Sequence, residues 1–255
     1  MRRLYVPLLL SVLLAPAPMS ASAVQTADEV IEKHLAAMGG REALGKITTR
    51  KAVGTVTLTN PNGDLTGPIE LYSKAPTKTR ALIVLDLTPM GMNDKMTLDQ
   101  KFDGTAGWTL NSLQGDAPIT GNQLDNMKNA TFPSPLLNYK AEGTKVDLLP
   151  NATVAGKSAV VLRITPKVGS VSTLFLDATT YLPVRSTATI NSPQMGGDVE
   201  QAGEASDYRK IDGVMIPFKT MNSVSDKAGT LIQTVTIVLT NVEHNVPIDD
   251  AMFVK

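Results

Sequence analysis

Residues 94–111 read DKMTLDQKFDGTAGWTLN, and this stretch decides the fold. Apolar and polar side chains alternate on either side of the dipeptide Asp103-Gly104. Alternation with a period of two residues is typical of half-buried β-strands. An Asp-Gly dipeptide supplies the positive φ angles that a two-residue hairpin turn needs. The stretch therefore predicts an antiparallel β-hairpin.

The same pattern extends in both directions along the chain. Short segments rich in Val, Ile, Leu and Thr predict strands at 51–59, 66–74, 78–87, 94–102, 105–111, 144–149, 158–165, 171–177, 184–190, 203–209, 214–222 and 230–241. Asp212-Gly213 marks a second tight hairpin turn. Because the connections are too short for crossover helices, the pattern favours an antiparallel meander over a parallel sheet.

A helix precedes the strands. Thr26 and Glu29 stand at the spacing of a capping box, and Gly39-Gly40 is a typical helix end. Between them, apolar residues recur at helical spacing on one face: Val30, Ile31, Leu35 and Met38. The pattern predicts an amphipathic helix packed against the sheet.

A long interruption separates the two runs of strands at residues 112–143. A helix is predicted to begin at Thr120 or Gly121, and Phe132-Pro133-Ser134-Pro135 breaks it. Insertions of this length in a meander are usually lids or covering elements. We therefore expect a lid whose apolar side chains are Leu124, Met127, Phe132, Leu136 and Leu137.

Residues 81–85, Ala-Leu-Ile-Val-Leu, are apolar on both faces of their strand. One face of an antiparallel sheet usually meets water, so burial of both faces requires a cause. A curved sheet with helices on its concave side and another element packed outside would provide one. A barrel seam would provide another, and the sequence does not separate them.

The first 23 residues are typical of a secretory signal peptide. Arg2 and Arg3 precede an apolar run over 4–14, and Ala21-Ser22-Ala23 fits a cleavage site. The run is too short to span a bilayer. We expect a single mature domain over residues 24–255, secreted to a bacterial periplasm. The mature domain would carry no disulfide because the chain contains no Cys.

The composition offers little chemistry. Lys plus Arg and Asp plus Glu each number 24, without the basic excess of a nucleic-acid-binding protein. The chain has two His, and no catalytic or metal-binding motif stands out. We expect no catalytic residues, no metal and no cofactor, and we predict that the protein is not an enzyme.

Several motifs resemble those of bacterial outer-membrane lipoprotein-sorting proteins, the lipoprotein-carrier-like (LolA/LolB-like) superfamily. They occur in the family's order at residues 38–44, 102–108, 175–183, 208–217 and 241–253. The resemblance implies a mainly β fold with some α: an incomplete antiparallel β-barrel, a curled meander wrapped around the N-terminal helix and a helical lid. It further implies a hydrophobic cavity for acyl chains. In one position the chain departs from the carrier, which has an Arg before a Pro where Ala75 precedes Pro76 here. Lys74 and Arg80 are the nearby cations that would have to replace it.

The leading hypothesis is a carrier or binding protein for lipoproteins or other acylated or lipidic ligands, acting without covalent chemistry. Alternation selects candidate cavity residues at Leu71, Leu82, Val84, Met96, Leu98, Trp108, Leu110, Leu174 and Leu176. A register error of one residue would move each to the opposite face. The alternative is an envelope-stress sensory or regulatory interaction domain that binds a membrane-protein partner. We expect a monomer whose partners are lipoprotein acyl chains, lipid, or inner- or outer-membrane envelope proteins, and no nucleic acid.

Overall fold

The computed structural model describes residues 25–61, 63–192 and 197–255. The signal peptide predicted over residues 1–23 lies outside the described residues. The described residues contain three α-helices: α1 (Ala27–Ala37), α2 (Arg41–Gly45) and α3 (Gly121–Asn129).

A single sheet of thirteen strands dominates the described part of the chain. Its strands are β1 (Thr49–Asn60), β2 (Gly63–Lys74), β3 (Lys78–Asp86), β4 (Lys95–Phe102), β5 (Gly107–Asn111), β6 (Ala117–Ile119), β7 (Lys145–Val154), β8 (Lys157–Thr165), β9 (Ser172–Asp177), β10 (Pro183–Ser192), β11 (Gly197–Ile211), β12 (Val214–Ser225) and β13 (Leu231–His244). The order across the sheet is β6-β5-β4-β3-β2-β1-β13-β12-β11-β10-β9-β8-β7. Every neighbouring pair is antiparallel. Within the described residues, β6 and β7 stay unpaired at the two edges, so the barrel is incomplete, as predicted.

The sequence predicted twelve of the strands, with ends that differ by a few residues. It missed β6, which has three residues and a central proline and is too short to show alternation. The turn at Asp212-Gly213 is the predicted two-residue turn, with positive φ at both positions. The prediction was wrong at Asp103-Gly104, where Phe102 pairs with Gly107 across a four-residue loop. The Asp103 carboxylate accepts hydrogen bonds from the backbone of Thr105 and Ala106, and this favours the wider loop.

Two glycines allow the sheet to curl. A Cβ at Gly54 would lie 2.2 Å from the Val238 carbonyl oxygen, beside an irregularity in the β1–β13 register. A Cβ at Gly67 would lie 1.8 Å from the Val84 carbonyl oxygen. Neighbouring backbone therefore occupies the space of both missing side chains. Interior strand glycines commonly mark such sharp bends.

Helix α1 fills one end of the concave face. Thr26 and Glu29 form the predicted capping box, with both reciprocal hydrogen bonds present. The predicted apolar face packs into a buried cluster that we call the helix-side cluster: Val30, Ile31, Leu35, Leu44, Ile47, Ala52, Leu136, Tyr139, Val160, Leu162, Leu176, Val214, Ile216, Phe218 and Val242. The apolar stripe of α1 thus anchors the helix inside the half-barrel.

A second cluster occupies the other end of the concave face. This sheet-end cluster comprises the buried residues Val56, Leu65, Ile69, Leu85 and Leu87. Partly buried side chains pack around it, among them Ile83, Met96, Val235 and Ile237. The two clusters leave the middle of the concave face between them.

The C-terminal segment, residues 245–255, lies across the convex face of β2 to β5. The Lys74 and Lys101 ammonium groups donate hydrogen bonds of 2.9 and 3.0 Å to the carbonyl oxygens of Ile248 and Val254. Phe253 in this segment is 1% exposed. This packed segment explains why residues 81–85 are apolar on both faces. Of the two alternatives left open by the sequence, the curved sheet with an element packed outside is the one found.

Candidate ligand-binding site

An apolar pocket of about 190 Å³ lies on the concave face, where β1, β2, β12 and β13 contribute side chains. It is lined by Arg50, Ala52, Leu71, Ser73, Ile216, Pro217, Thr220, Ile237 and Leu239. Leu71 and Leu239 also pack against the helix-side cluster, and Ile237 packs against the sheet-end cluster. The pocket therefore joins the two clusters, and its walls are largely aliphatic.

Five of the nine residues predicted from alternation lie on the concave face. Leu71 lines the pocket, and Met96 packs against the sheet-end cluster. Leu98 is on the same face, since it pairs with Ile83 on the neighbouring strand. Leu176 belongs to the helix-side cluster, and Leu174 packs against it.

The other four predicted residues lie on the convex face, so the expectation that all nine share one face is wrong. Leu82 and Leu110 both pair with Asp99, Val84 pairs with Thr97, and Trp108 pairs with Lys101. The Lys255 ammonium nitrogen is 4.4 Å from the centroid of the Trp108 ring, beneath the C-terminal segment. Alternation divides the side chains of a strand between its two faces, but it does not show which face is concave. In β3 the side chains on both faces are apolar, so hydrophobicity does not identify the concave face either.

Sequence reasoning missed the pocket residues of the last two strands and Arg50. Ile216, Ile237 and Leu239 lie in segments that were correctly predicted as strands, yet nothing in their local pattern relates them to Leu71. The link is the pairing of β1 with β13, the first strand with the last. Arg50 stands at a strand start, where a charged side chain is ordinary and gives no signal of a site.

The insertion lies over the concave side. Leu136 is buried in the helix-side cluster, and Phe132 and Leu137 pack against it. Leu124 and Met127 on α3 are only partly buried and belong to neither cluster. The insertion thus supplies three of the five predicted apolar contacts.

Helix α3 is attached to the β8–β9 loop by polar contacts. The Asn126 side chain accepts a 2.8 Å hydrogen bond from the Ser170 backbone and donates one of 3.2 Å to the Ser170 hydroxyl. Asn129 donates a 2.6 Å hydrogen bond to the Val168 carbonyl oxygen. Because β6 and β7 are the two sheet edges, the insertion that connects them spans the opening of the half-barrel.

Arg50 connects the sheet to the insertion. Its guanidinium carbon lies 5.0 Å from the centroid of the Phe132 ring. Its Nε donates a 3.1 Å hydrogen bond to His244 Nε2, and His244 Nδ1 lies 3.1 Å from an Asp212 carboxylate oxygen. His244 must therefore carry its proton on Nδ1 and donate it to Asp212. Burial lowers the pKa of Arg50 to about 10, so the guanidinium is still charged at neutral pH.

Lys74 and Arg80, two cations near Ala75, are both paired with carboxylates. Lys74 pairs with Asp250 at 2.8 Å, and Arg80 pairs with Asp99 at 2.8 Å. Both are held on the convex face by these carboxylates and by contacts to the C-terminal segment. The Ala75-Pro76 loop does reach the insertion, because the Pro76 carbonyl oxygen accepts a 2.8 Å hydrogen bond from Phe132.

A polar clasp ties the second half of the insertion to α1. The Asp28 carboxylate accepts hydrogen bonds from the Tyr139 hydroxyl and the Lys140 ammonium group. Nearby, Arg41 pairs with Glu32 at 2.6 Å and donates a 2.7 Å hydrogen bond to the Leu137 carbonyl oxygen. The hydrogen bonds from Lys140 and then Tyr139 lower the pKa of Asp28 below its ordinary 3.8.

The clasp should respond to acid. A carboxyl whose folded pKa is depressed stabilises the folded contact above its unfolded pKa, and this contribution disappears as pH falls through the folded pKa. Replacing Asp28 by Asn should therefore speed amide hydrogen exchange in residues 130–144 at about pH 6 and have little effect at about pH 2.5. Exchange is compared between variant and wild type at each pH, with circular dichroism to confirm folding. An equal acceleration at both pH values would show that the Asp28 charge does not hold the clasp.

Metal-ligating side chains do not gather in the part of the chain that the structure describes. Residues 25–61, 63–192 and 197–255 contain no group of three His, Cys, Asp or Glu side chains that could hold a metal ion. No helix in these ranges is long and apolar enough to cross a membrane. A charge cluster joins Asp250 to Lys74 and Lys78, whose hydrogen bonds lower the pKa of Asp250 to about 2. This cluster fastens the C-terminal segment to the convex face.

Exposed apolar side chains gather at the end of the sheet opposite α1. Met90 and Met92 lie in the β3–β4 loop, Leu113 follows β5, Val168 and Val171 lie in the β8–β9 loop, and Leu231 begins β13. The strand directions bring all of these loops to one edge of the half-barrel. These side chains therefore form an apolar rim at this edge.

Solved structures share this architecture. A LolA superfamily protein from Nitrosomonas europaea matches 91% of this chain and 99% of its own, at a TM-score of 0.55 and 15% identity. An outer-membrane lipoprotein-sorting protein domain from Vibrio parahaemolyticus matches 88% of this chain and 94% of its own, at a TM-score of 0.55 and 12% sequence identity. The chain has the LolA-like fold. A DUF1329 family protein from Desulfovibrio piger also matches, over 90% of this chain and 98% of its own, at a TM-score of 0.55 and 15% sequence identity. No protein-family model and no curated protein sequence matches the chain.

Proposed function

We propose that this LolA-like protein is a periplasmic carrier or binding protein for lipoproteins or other acylated or lipidic ligands. It would hold acyl chains on the concave face without covalent chemistry. The observation that carries the proposal is the aliphatic pocket between the two clusters, on the concave face of a half-barrel whose opening the insertion spans. The typical signal-peptide pattern of residues 1–23 supports export, with residues 24–255 acting as one domain.

The energetics suit a carrier whose cavity expands. Burying a sixteen-carbon chain gains on the order of 13 kcal/mol at about 0.8 kcal/mol per CH₂. The pocket of about 190 Å³ is smaller than the roughly 300–1,000 Å³ of common ligand sites. A long chain would therefore have to displace the insertion and separate side chains that fill the empty concave face. This cost offsets part of the gain and makes release feasible.

The test is native mass spectrometry of the mature protein purified from a periplasmic extract, followed by organic extraction and lipid identification. We expect a stoichiometric acyl-bearing adduct. If the protein is free of ligand and takes up no lipid or lipopeptide when challenged, the concave face is a filled core. That result would reject the carrier proposal and direct attention to a membrane-protein partner.

A further inference from the structure

Arg50 differs from three other arginines of the chain in its surroundings. Arg41, Arg80 and Arg209 each form an ion pair with a carboxylate, at 2.6, 2.8 and 2.7 Å. Within residues 25–61, 63–192 and 197–255, no carboxylate oxygen lies within 4.0 Å of the Arg50 guanidinium. Its one protein hydrogen bond goes to a neutral histidine, and aliphatic side chains surround it. A positive charge in such a wall is costly in the empty protein.

The geometry leaves one edge of the guanidinium free. Arginine has five N–H groups, and the Nε–H of Arg50 is used by His244. The Phe132 ring lies over the face of the group, where it does not compete for N–H donors. The four remaining N–H groups, on the two terminal nitrogens, have no partner in the described part of the chain. Their fork matches the oxygens of a carboxylate or a phosphate, which guanidinium groups bind with two parallel hydrogen bonds.

We propose that Arg50 binds the anionic headgroup of a single-chain amphiphile whose tail lies along the aliphatic pocket. This inference rests on the proposed lipid-binding function and adds an orientation for the bound ligand. The headgroup lies beneath Phe132, and the tail runs towards the sheet-end cluster. The shared chemistry is a compact oxyanion on an alkyl chain, either a carboxylate or a phosphate monoester. Asp212 is the carboxylate nearest along the hydrogen-bond network, and His244 separates it from Arg50.

The experiment compares three ligands of equal chain length: hexadecanoate, hexadecyl phosphate and hexadecan-1-ol. Their affinities for the mature protein are measured by displacement of a fluorescent apolar probe at neutral pH. We expect the better of the two anions to bind about tenfold to a hundredfold more tightly than the alcohol, as charge-assisted hydrogen bonds allow. The ratio between the two anions identifies the headgroup source.

Arg50→Gln should remove the preference for the anion over the alcohol, so that the ratio of the two affinities falls to about one. Arg50→Lys keeps the positive charge but loses the paired N–H groups of the guanidinium, so it should keep part of the preference for the anion. Arg209→Gln is the matched control, since Arg209 also stacks on an aromatic ring, at 4.2 Å from the Phe218 centroid, but has its own carboxylate partner. It should change nothing.

The outcomes separate this inference from the function on which it rests. If the wild-type protein binds the alcohol as tightly as both anions, or if Arg50→Gln keeps the preference, anion recognition by Arg50 is rejected while lipid binding stands. If the wild-type protein binds none of the three ligands, both proposals fail. The comparison of ligands on the wild-type protein holds even if Arg50→Gln does not fold.

Discussion

Replacing Thr220 by Trp should reduce the affinity for an acylated ligand by about a hundredfold. Thr220 lines the pocket from β12, where it pairs with Ile237 of β13. An indole at this position would occupy much of the roughly 190 Å³ and exclude part of the ligand chain. Excluding four methylenes at about 0.8 kcal/mol each removes about 3 kcal/mol of binding free energy.

A filling substitution is a sharper test than a charged one. An Asp at Leu71 would place an unpaired carboxylate in the interior and could lower stability as well as binding. The Trp at position 220 keeps the pocket apolar, so the fold should survive. The measurement is the dissociation constant for a lipopeptide or a fatty acid, with thermal unfolding as a check on the fold.

Thr55→Trp is the matched control for this experiment. Thr55 lies on β1 and is exposed, on the face opposite that of the pocket residue Ala52. The substitution adds the same indole to the same sheet but leaves the pocket open, so affinity should stay at the wild-type value. If Thr220→Trp folds and binds as tightly as Thr55→Trp, the ligand does not occupy the pocket.

Local pattern was enough to predict most of the architecture. Period-two alternation located twelve strands, and helical spacing with helix-end signals located α1 and the start of α3; all of these signals depend only on neighbouring residues. The capping box of Thr26 and Glu29 was predictable for the same reason, because both of its hydrogen bonds form within one turn. These local signals do not show which strands become neighbours in the sheet.

The candidate site depends on that missing information. Leu82 and Ile83 are adjacent and similar in hydrophobicity, yet they face opposite sides of β3. The side that Leu82 faces is covered by residues 245–255, which are more than 160 positions away in the chain. Nothing near β3 predicts that cover, so alternation alone placed Leu82, Val84, Trp108 and Leu110 on the wrong face.

Arg50 shows a second limit. Its neighbours in the site come from β13, from the β11–β12 turn and from the insertion: His244, Asp212 and Phe132. The sequence shows an ordinary charged residue at a strand start, and only the assembled sheet surrounds it with apolar side chains. Sites built from distant strands are therefore the part of this fold that local reasoning cannot reach.

The insertion should have to move before a ligand can exchange, and a cross-link can test this. Three side-chain hydrogen bonds attach α3 to the β8–β9 loop, and none involves a charged group. The Thr131 hydroxyl is buried without a hydrogen-bond partner, and an unsatisfied buried group of this kind costs about 1–3 kcal/mol. These weak attachments suit a lid that opens and closes.

The double variant Asn126→Cys with Ser170→Cys should lock the insertion when oxidised. The two side chains already contact each other at 3.2 Å across the gap between α3 and the loop, and the Asn126 side chain also accepts a 2.8 Å hydrogen bond from the Ser170 backbone. Because the chain contains no Cys, the introduced pair forms the only disulfide. We expect oxidation to slow ligand uptake and release by roughly tenfold or more, and a reductant to restore the wild-type rates.

The control pair Thr189→Cys with Glu200→Cys joins β10 to β11 without touching the insertion, and its oxidation should leave the rates unchanged. Exchange from the oxidised lock as fast as from its reduced form would mean that the ligand does not pass beneath the insertion, and that the concave face fills and empties through the apolar rim alone.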